Sequence, residues 1–465
     1  MSTPASGAAA MPARPDEFGE ALGRFGIYLK LVLLLVLVGF AAIALAMIES
    51  TVSERRARQA RVASEIGAAW GHPQRVVGPI LVVPYTYRIV HELTEGRTRI
   101  ETRTGTFYAL PESLAIDTAL APEERYRGIF RTVVYTATLK LSGNFAPFDL
   151  AALGISPDDV HWDKAQLALG VSDLRGVEGE PKLAWDGAEI PFRPGAPGNL
   201  VGNGVNAPVP LARDQSRPLS FSLELKTTGS RDFYATPLGK TTRASVSSPW
   251  PHPSFGGAYL PSTRTISKGG FAAQWNISYL GRDFPQIWKS VEGEPISGPR
   301  AIQSRIAASQ FGVSLVSPVD FYQQSERAVK YGILIVVMVL AAIFIYEFAG
   351  GARFHLVQYG LVGAALCLFF LLLLSFAEIV GFALAYAAAA ILSGALISWY
   401  AGRALGDAKR GWFMAALLAL VYAFLFVVLQ MEDFALLTGA LGLFAAIAAA
   451  MIATRNVDWY SLRRA

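Results

Sequence analysis

The sequence predicts an integral-membrane helical bundle of six spans, with a large, mostly β domain inserted between the first and second spans. Three observations carry this reading. Hydrophobic residues make up 52% of the 465-residue chain and charged residues only 17%, whereas soluble domains carry about 25% charged residues. The mean hydropathy of +0.36 points the same way. The apolar excess is also concentrated in runs long enough to cross a membrane, which takes about 20 residues: 27–48, 331–350, 357–377, 380–400, 412–431 and 434–453. Residues 49–330 have an ordinary soluble composition. Nine Trp, 27 Phe and a single Cys exclude disordered and disulfide-scaffold classes.

Each element follows in order. Residues 1–26 are rich in Ala, Pro, Gly and Ser and read as a disordered tail. Within the first span, Ala44-Leu45-Ala46 resembles a signal-peptidase site. The apolar run is longer than a usual signal core, and the residues before it are long and mixed in charge, which favours an uncleaved anchor. Residues 53–70 predict a helical stalk, with Glu54/Arg58 and Arg61/Glu65 spaced for i, i+4 pairing. Val62, Ile66 and Trp70 form a stripe that would dock on the domain. From there the period changes to that of strands, at 78–90, 98–110, 131–145, 219–229 and 271–280. Gly78-Pro79 predicts a turn before a buried strand. The Gly/Pro/Asn-rich stretch 193–210 predicts a linker or long loop. The expected domain is sandwich-like, with room for two subdomains.

Orientation follows from Lys and Arg in the short loops. Arg353 follows the second span, Arg403, Lys409 and Arg410 follow the fourth, and Arg455, Arg463 and Arg464 follow the sixth. The loops at Glu378 and at Glu432–Asp433 carry neither Lys nor Arg. Both termini, including the 454–465 tail, are therefore expected in the cytoplasm, with the β domain outside it. The basic stretch Arg55–Arg61 opposes this, but long translocated domains escape the rule.

Motifs for chemistry are missing. The sequence has no HExxH, no Cys pair, no GxSxG, no Ser-x-x-Lys and no GxGxxG. The stretch 237–242, PLGKTT, resembles the end of a phosphate loop, but Tyr234 stands where the first Gly belongs, and a cradle must open a helix. The expectation is a non-enzyme with no cofactor and no metal. Cys367 reads as a small hydrophobe. Glu347 and Glu378 are the candidate functional residues, because ionisable groups near lipid are costly. Gln358 and Gln430 are their uncharged companions, and both carboxylates read as interfacial, on opposite sides of the membrane. Ala385, Ala389, Ser393, Gly439 and Gly442 predict close helix packing. Trp399, Tyr400, Trp412, Trp459 and Tyr460 predict interfacial belts. A net charge of +5 gives no nucleic-acid footprint. The expected partners are membrane lipid and an envelope component or another periplasmic or inner-membrane protein.

Several stretches resemble the CreD family of bacterial inner-membrane proteins. They are EIGAAWGHPQRVVGPILVVPY (65–85), ERYRGIFRTVVYTATLKLSGNF (124–145), GRDFPQIW (281–288), FGVSLVSPVDFYQQSERAVKYG (311–332), VQYGLVGAALCLFFLLLLSFAE (357–378) and TRNVDWYSL (454–462). The chain departs from the family pattern at Leu356, where Pro is expected, and at Ile379, where His often follows the Glu. The resemblance implies a link to cell envelope integrity and envelope stress, with altered tolerance of β-lactams or colicins. It implies no catalytic residues. A transporter, or a permease-like partner of a cytoplasmic ATPase, is the competing expectation.

Overall fold

The computed structural model describes residues 16–92, 98–197, 203–213, 217–290, 299–316, 321–350, 354–404, 408–431 and 434–455. The chain divides into two compact units, Gln59–Pro318 and Met1–Arg58 with Val319–Ala465.

Within the first of these, the described residues form two nine-stranded sheets around one shared core. The spine of one sheet is the strand Gln74–Glu92, paired antiparallel with Thr98–Ala109 and Gln166–Val171 and parallel with Asp232–Ala235. The other sheet is built on the hairpin Ser113–Arg127/Phe130–Phe145, flanked by Leu219–Ser230 on one side and Thr241–Ser248 on the other. The sequence dictates which faces are wet. Along Leu219–Ser230, Leu219, Phe221, Leu223 and Leu225 point inward while Ser220, Ser222, Glu224 and Lys226 point outward, the period-2 pattern of a half-buried strand. Ile80, Leu81, Val82 and Val83 are buried consecutively, as in a strand covered on both faces.

Aromatic rings join the sheets. Phe255 and Phe311, from one sheet, pack on Trp275 of the other, with centroids 5.9 and 5.2 Å apart. Each such pair adds about 0.5–1.5 kcal/mol beyond its area burial. One core therefore replaces the two subdomains for which the sequence left room.

Three local expectations change. Gly78-Pro79 lies inside its strand rather than before it, at a register shift between Val77 and Ile80. Gly78 sits at φ +142° against the backbone of Leu169, a bulge where Gly is needed. The stretch 193–210 is not a free linker: Arg193–Pro194 and Gly204–Pro208 pair with each other and extend the first sheet, and the loop joining them includes 198–202, which lie outside the described residues. The tail ends earlier than expected, because helix α1 (Asp16–Trp70) already begins at Asp16. Residues 1–15 of that tail lie outside the described residues.

The end of α1 is tied into the β unit by a polar knot, buried at Gln74 and Asp173 and exposed at Glu65–Arg127. The Arg125 guanidinium lies 4.4 Å from the Trp70 ring centroid, and Thr228 Oγ1 donates to Trp70 O at 2.6 Å. Glu65 accepts from Arg127 Nη1 at 2.5 Å rather than from Arg61. Gln74, fully buried, donates through Nε2 to Thr228 O at 2.7 Å and Asp173 O at 3.2 Å. The Asp173 carboxylate accepts from Arg175 Nε and Nη2, both at 3.0 Å, and from His72 N at 3.2 Å. Such bonds stabilise the ionised form. Burial pushes the Tyr135 hydroxyl above its ordinary range. That hydroxyl donates to Asp232 O at 2.6 Å. A further helix of this unit, α2, spans Pro299–Ala308.

The second unit is helical: α3 (Phe321–Lys330), α4 (Gly332–Gly350), α5 (Leu356–Val380), α6 (Phe382–Ala404), α7 (Ala408–Gln430) and α8 (Ala435–Thr454). Among the described residues, four helices are long and apolar enough to cross a membrane: α1 from Leu29, α5, α6 and α7. The pair α3–α4, bent by 43°, would make a fifth, and α8 has a shorter apolar stretch, Leu437–Ile452. Helix α3 went unrecognised in the sequence, where 321–330 read as the end of the β domain. It is amphipathic: Tyr322, Ser325, Ala328 and Val329 are buried at helical spacing against α4, α5, α6 and α7. Gly442 faces the Phe424 ring closely enough to exclude a Cβ, whereas at Gly439, among the described residues, no atom lies within 4 Å of where a Cβ would stand. Close packing therefore holds for Gly442 and not for Gly439. Trp459 and Tyr460 lie outside the described residues.

The Asp173 knot predicts a pH signature. Hydrogen bonds from Arg175, with His72 N, hold its carboxyl at about 2 against an ordinary 3.8. A depressed carboxylate stabilises the fold above the unfolded-state value and loses that contribution as pH falls through the folded one. Asp173→Asn is therefore expected to lower the melting temperature of the β unit at pH 7. The gap to wild type should close between pH 4 and pH 2, read by circular dichroism of the full chain in detergent.

Candidate functional site

Both glutamates singled out in the sequence lie in the helical unit, and each meets a cation from α1 and a tyrosine. Glu347, in the last turns of α4, accepts from Lys30 Nζ at 2.6 and 2.7 Å through its two oxygens. It also accepts from Tyr359 OH at 2.7 Å. Lys30 Nζ makes a third bond, to Phe354 O at 3.0 Å, and stands 5.2 Å from the Tyr359 ring centroid. The lysine is thus held by three oxygens and a π face. Side-chain exposures of 25% for Lys30 and 13% for Glu347 make this a largely desolvated pair.

Glu378 is the looser counterpart. It sits in the last turn of α5, not in a loop as the sequence suggested; α5 continues to Val380, and Gly381 caps it at φ +80°. Tyr322 OH donates to Glu378 Oε1 at 3.0 Å, and Arg55 Nη1 is 3.8 Å away. Beside it, Glu326 accepts from Arg56 at 3.0 Å and from Lys330 at 2.8 Å. Arg327 Nη2 donates to Leu429 O at 2.6 Å.

The two clusters share three chain segments. Helix α1 supplies Lys30 to one and Arg55 to the other, α5 supplies Tyr359 and Glu378, and α3–α4 supplies Tyr322 and Glu347. Lys30 and Arg55 are 25 residues apart, about 37 Å at 1.5 Å per residue. That separation exceeds the ~30 Å hydrocarbon thickness, so the clusters bracket an apolar interval. Within that interval residues 31–48 of α1 are apolar and include Leu35, Phe40 and Met47, exposed by 76%, 68% and 68%.

Of the uncharged companions, Gln358 has a different job. Its Oε1 accepts from His355 N at 2.9 Å, while His355 Nδ1 accepts from Val357 N, completing a box that caps α5. Gln430 is exposed at the end of α7 and touches neither glutamate. Cys367 is buried. Glu432, Asp433 and Arg353 lie outside the described residues. Among the described residues, no group of three His, Cys, Asp or Glu side chains could hold a metal. Sequence reasoning missed Lys30, Arg55, Tyr322 and Tyr359. Lys30 could have been found: it is a cation inside an apolar run, which defaults to a search for its partner.

Fold and site together define a multi-span helical membrane protein that carries a two-sheet β domain. The family model "Inner membrane protein CreD" matches residues 26–460, and the chain belongs to the CreD family. It is 31% identical over 420 residues to inner membrane protein CreD of Escherichia coli (strain K12), covering 89% of this chain and 90% of that protein. Among solved structures, a substrate-bound mutant of an M1 zinc metallopeptidase from Deinococcus radiodurans aligns at 15% identity. It covers 36% of this chain and 39% of its own, with a TM-score of 0.19. The unmutated enzyme aligns at 14% identity, with the same coverages and a TM-score of 0.18. At that level the likeness supports no inference.

The geometry predicts that the Lys30–Glu347 pair acts as a unit. Glu347→Leu alone strands a cation and is expected to cost about 2–3 kcal/mol, somewhat less than the 3–5 kcal/mol of a fully buried pair. Lys30→Met alone should cost a similar amount. The double variant should recover most of the loss, read as detergent melting temperatures in a double-mutant cycle.

Proposed function

We propose that this protein is a non-enzymatic, multi-pass inner-membrane protein that supports cell envelope integrity through its β domain. Its partner is an envelope component or another periplasmic or inner-membrane protein. In this reading six spans cross the membrane, both termini lie in the cytoplasm and the β domain lies in the periplasm. The Lys and Arg distribution of the short loops supports that orientation. Membership of the CreD family supports the membrane location.

The observation that carries the reading is how Glu347 and Glu378 are engaged. Each is held by a tyrosine and a cation of the same unit, and the two clusters flank the apolar stretch of α1. Transport sites more typically gather polar groups at the membrane midplane on interrupted helices. Here α5, α6 and α7 run unbroken. The α3–α4 pair is bent by 43°, but Tyr322 and Glu347, on either side of that bend, belong to different clusters. The helical unit reads as an anchor braced at both ends, and the β unit as the working part.

Deletion decides the first half. A null strain is expected to show altered permeability and altered sensitivity to envelope-directed antibiotics; unchanged shape, permeability and sensitivity would refute the reading. Complementation decides the second half. A bracing role predicts that the stable double variant Lys30→Met/Glu347→Leu restores the null strain, and that Glu378→Gln does so too. A transport role predicts failure of both despite normal protein levels. Orientation is checked by reporter fusions: an enzyme active only outside the cytoplasm should work when fused within the β domain and stay silent at the carboxyl terminus.

A further inference from the structure

The outer face of the α6–α7 pair carries a groove that none of the described residues fills. Helix α8 packs on α4 and α7, which leaves this face open. Its walls are small side chains, Ala387, Ala390 and Gly394 from α6 and Ala415, Ala419 and Ala423 from α7, enclosing about 480 Å³. The floor is closed by paired polar groups: Tyr386 OH donates to Tyr422 O at 2.7 Å, and Ser393 Oγ lies 3.0 Å from Tyr422 OH. At one end the groove runs into a second cavity of about 590 Å³, with Ser398 and Ala415 lining both.

This end differs chemically from the rest. Ser398 Oγ is buried and, among the described residues, has no hydrogen-bond partner, a costly state for a hydroxyl. Trp399 and Trp412 flank it, exposed by 64% and 77%, as indoles are at the headgroup level. Arg403 lines the same cavity, is exposed, and has no ion pair among the described residues. The sequence adds Lys409 and Arg410 against a single acid, Asp407. From Ser398 to Ala383 the groove is about 22 Å long at 1.5 Å per residue, more than the ~15 Å hydrocarbon depth of one leaflet.

We propose that this is a binding site for one anionic glycerophospholipid. The headgroup phosphate meets Arg403 between the two tryptophans, an ester or phosphate oxygen accepts from Ser398 Oγ once that side chain turns out into the cavities it lines, and one acyl chain lies along the alanine groove. A basic cavity between membrane helices selects anionic headgroups by charge, while the small-residue walls let a chain approach the helix backbones. The site rests on α6 and α7 lying in lipid and not on any role of the β domain, so the two readings fail separately.

The test is tryptophan quenching of the full-length protein in phosphatidylcholine nanodiscs doped with brominated phosphatidylglycerol or brominated phosphatidylcholine. The anionic lipid should quench more strongly, and the excess should vanish in Trp399→Phe/Trp412→Phe. Arg403→Gln should reduce the preference roughly fivefold, the effect of one basic residue at an anionic surface. Ala390→Leu should block the groove. Should that variant fail to fold, the exposed Arg403→Gln still decides. Equal quenching by both lipids, an unchanged preference in Arg403→Gln, or full competition by inorganic phosphate would overturn the proposal. Crosslinked dimers that exclude the brominated lipid would overturn it in favour of a second copy of the chain.

Discussion

The helical unit depends on the cost of a charge in a low-dielectric slab. Lys30 enters the apolar run of α1 and cannot stay there alone, so its ammonium is matched by the Glu347 carboxylate, the Phe354 carbonyl and the Tyr359 ring. Once that pair forms, α1, α4 and α5 are fixed at one level. The Arg55–Glu378–Tyr322 group repeats the arrangement at the other end with looser geometry. Everything between can be apolar, because the polar requirements are met at the ends. Three chain segments are thereby located by two charge pairs rather than by hydrophobic contact, which distinguishes poorly between helix faces when the surroundings are also apolar.

The β unit solves a different problem, in water. Two large sheets bury one core, and the end of α1 is secured to it by the polar knot of Gln74, Asp173, Thr228 and Tyr135. A buried amide such as Gln74 is tolerated because both ends of its side chain are satisfied. That satisfaction depends on contacts between residues about 100 to 150 positions apart, which local pattern does not contain.

Much of the fold was legible. Strands with period-2 burial, such as Leu219–Ser230, and long apolar runs, such as Leu356–Val380, carry their own signal, because one face or one solvent selects their side chains. Helix α3 was not legible: ten residues, strongly polar on one face, look like loop until the helices that cover the other face are present. The stretch 193–210 was misread for a related reason, since Gly and Pro mark loops locally but are accepted in short strands at a sheet edge. Glu347 and Glu378 could be named from sequence; their partners could not, since Lys30 and Arg55 lie hundreds of positions away.

By itself, then, the sequence determined the class of the protein, the positions of its apolar helices and the β character of the intervening domain. Composition and periodicity are local properties that follow from which solvent a side chain must face. Only the tertiary structure decided that the two sheets share one core and that each glutamate has a cation and a tyrosine. It alone showed that a small-residue groove ends between two tryptophans at a serine with no hydrogen-bond partner among the described residues. Those features are coincidences in space between distant residues, fixed by packing and by the cost of leaving buried polar groups unpaired.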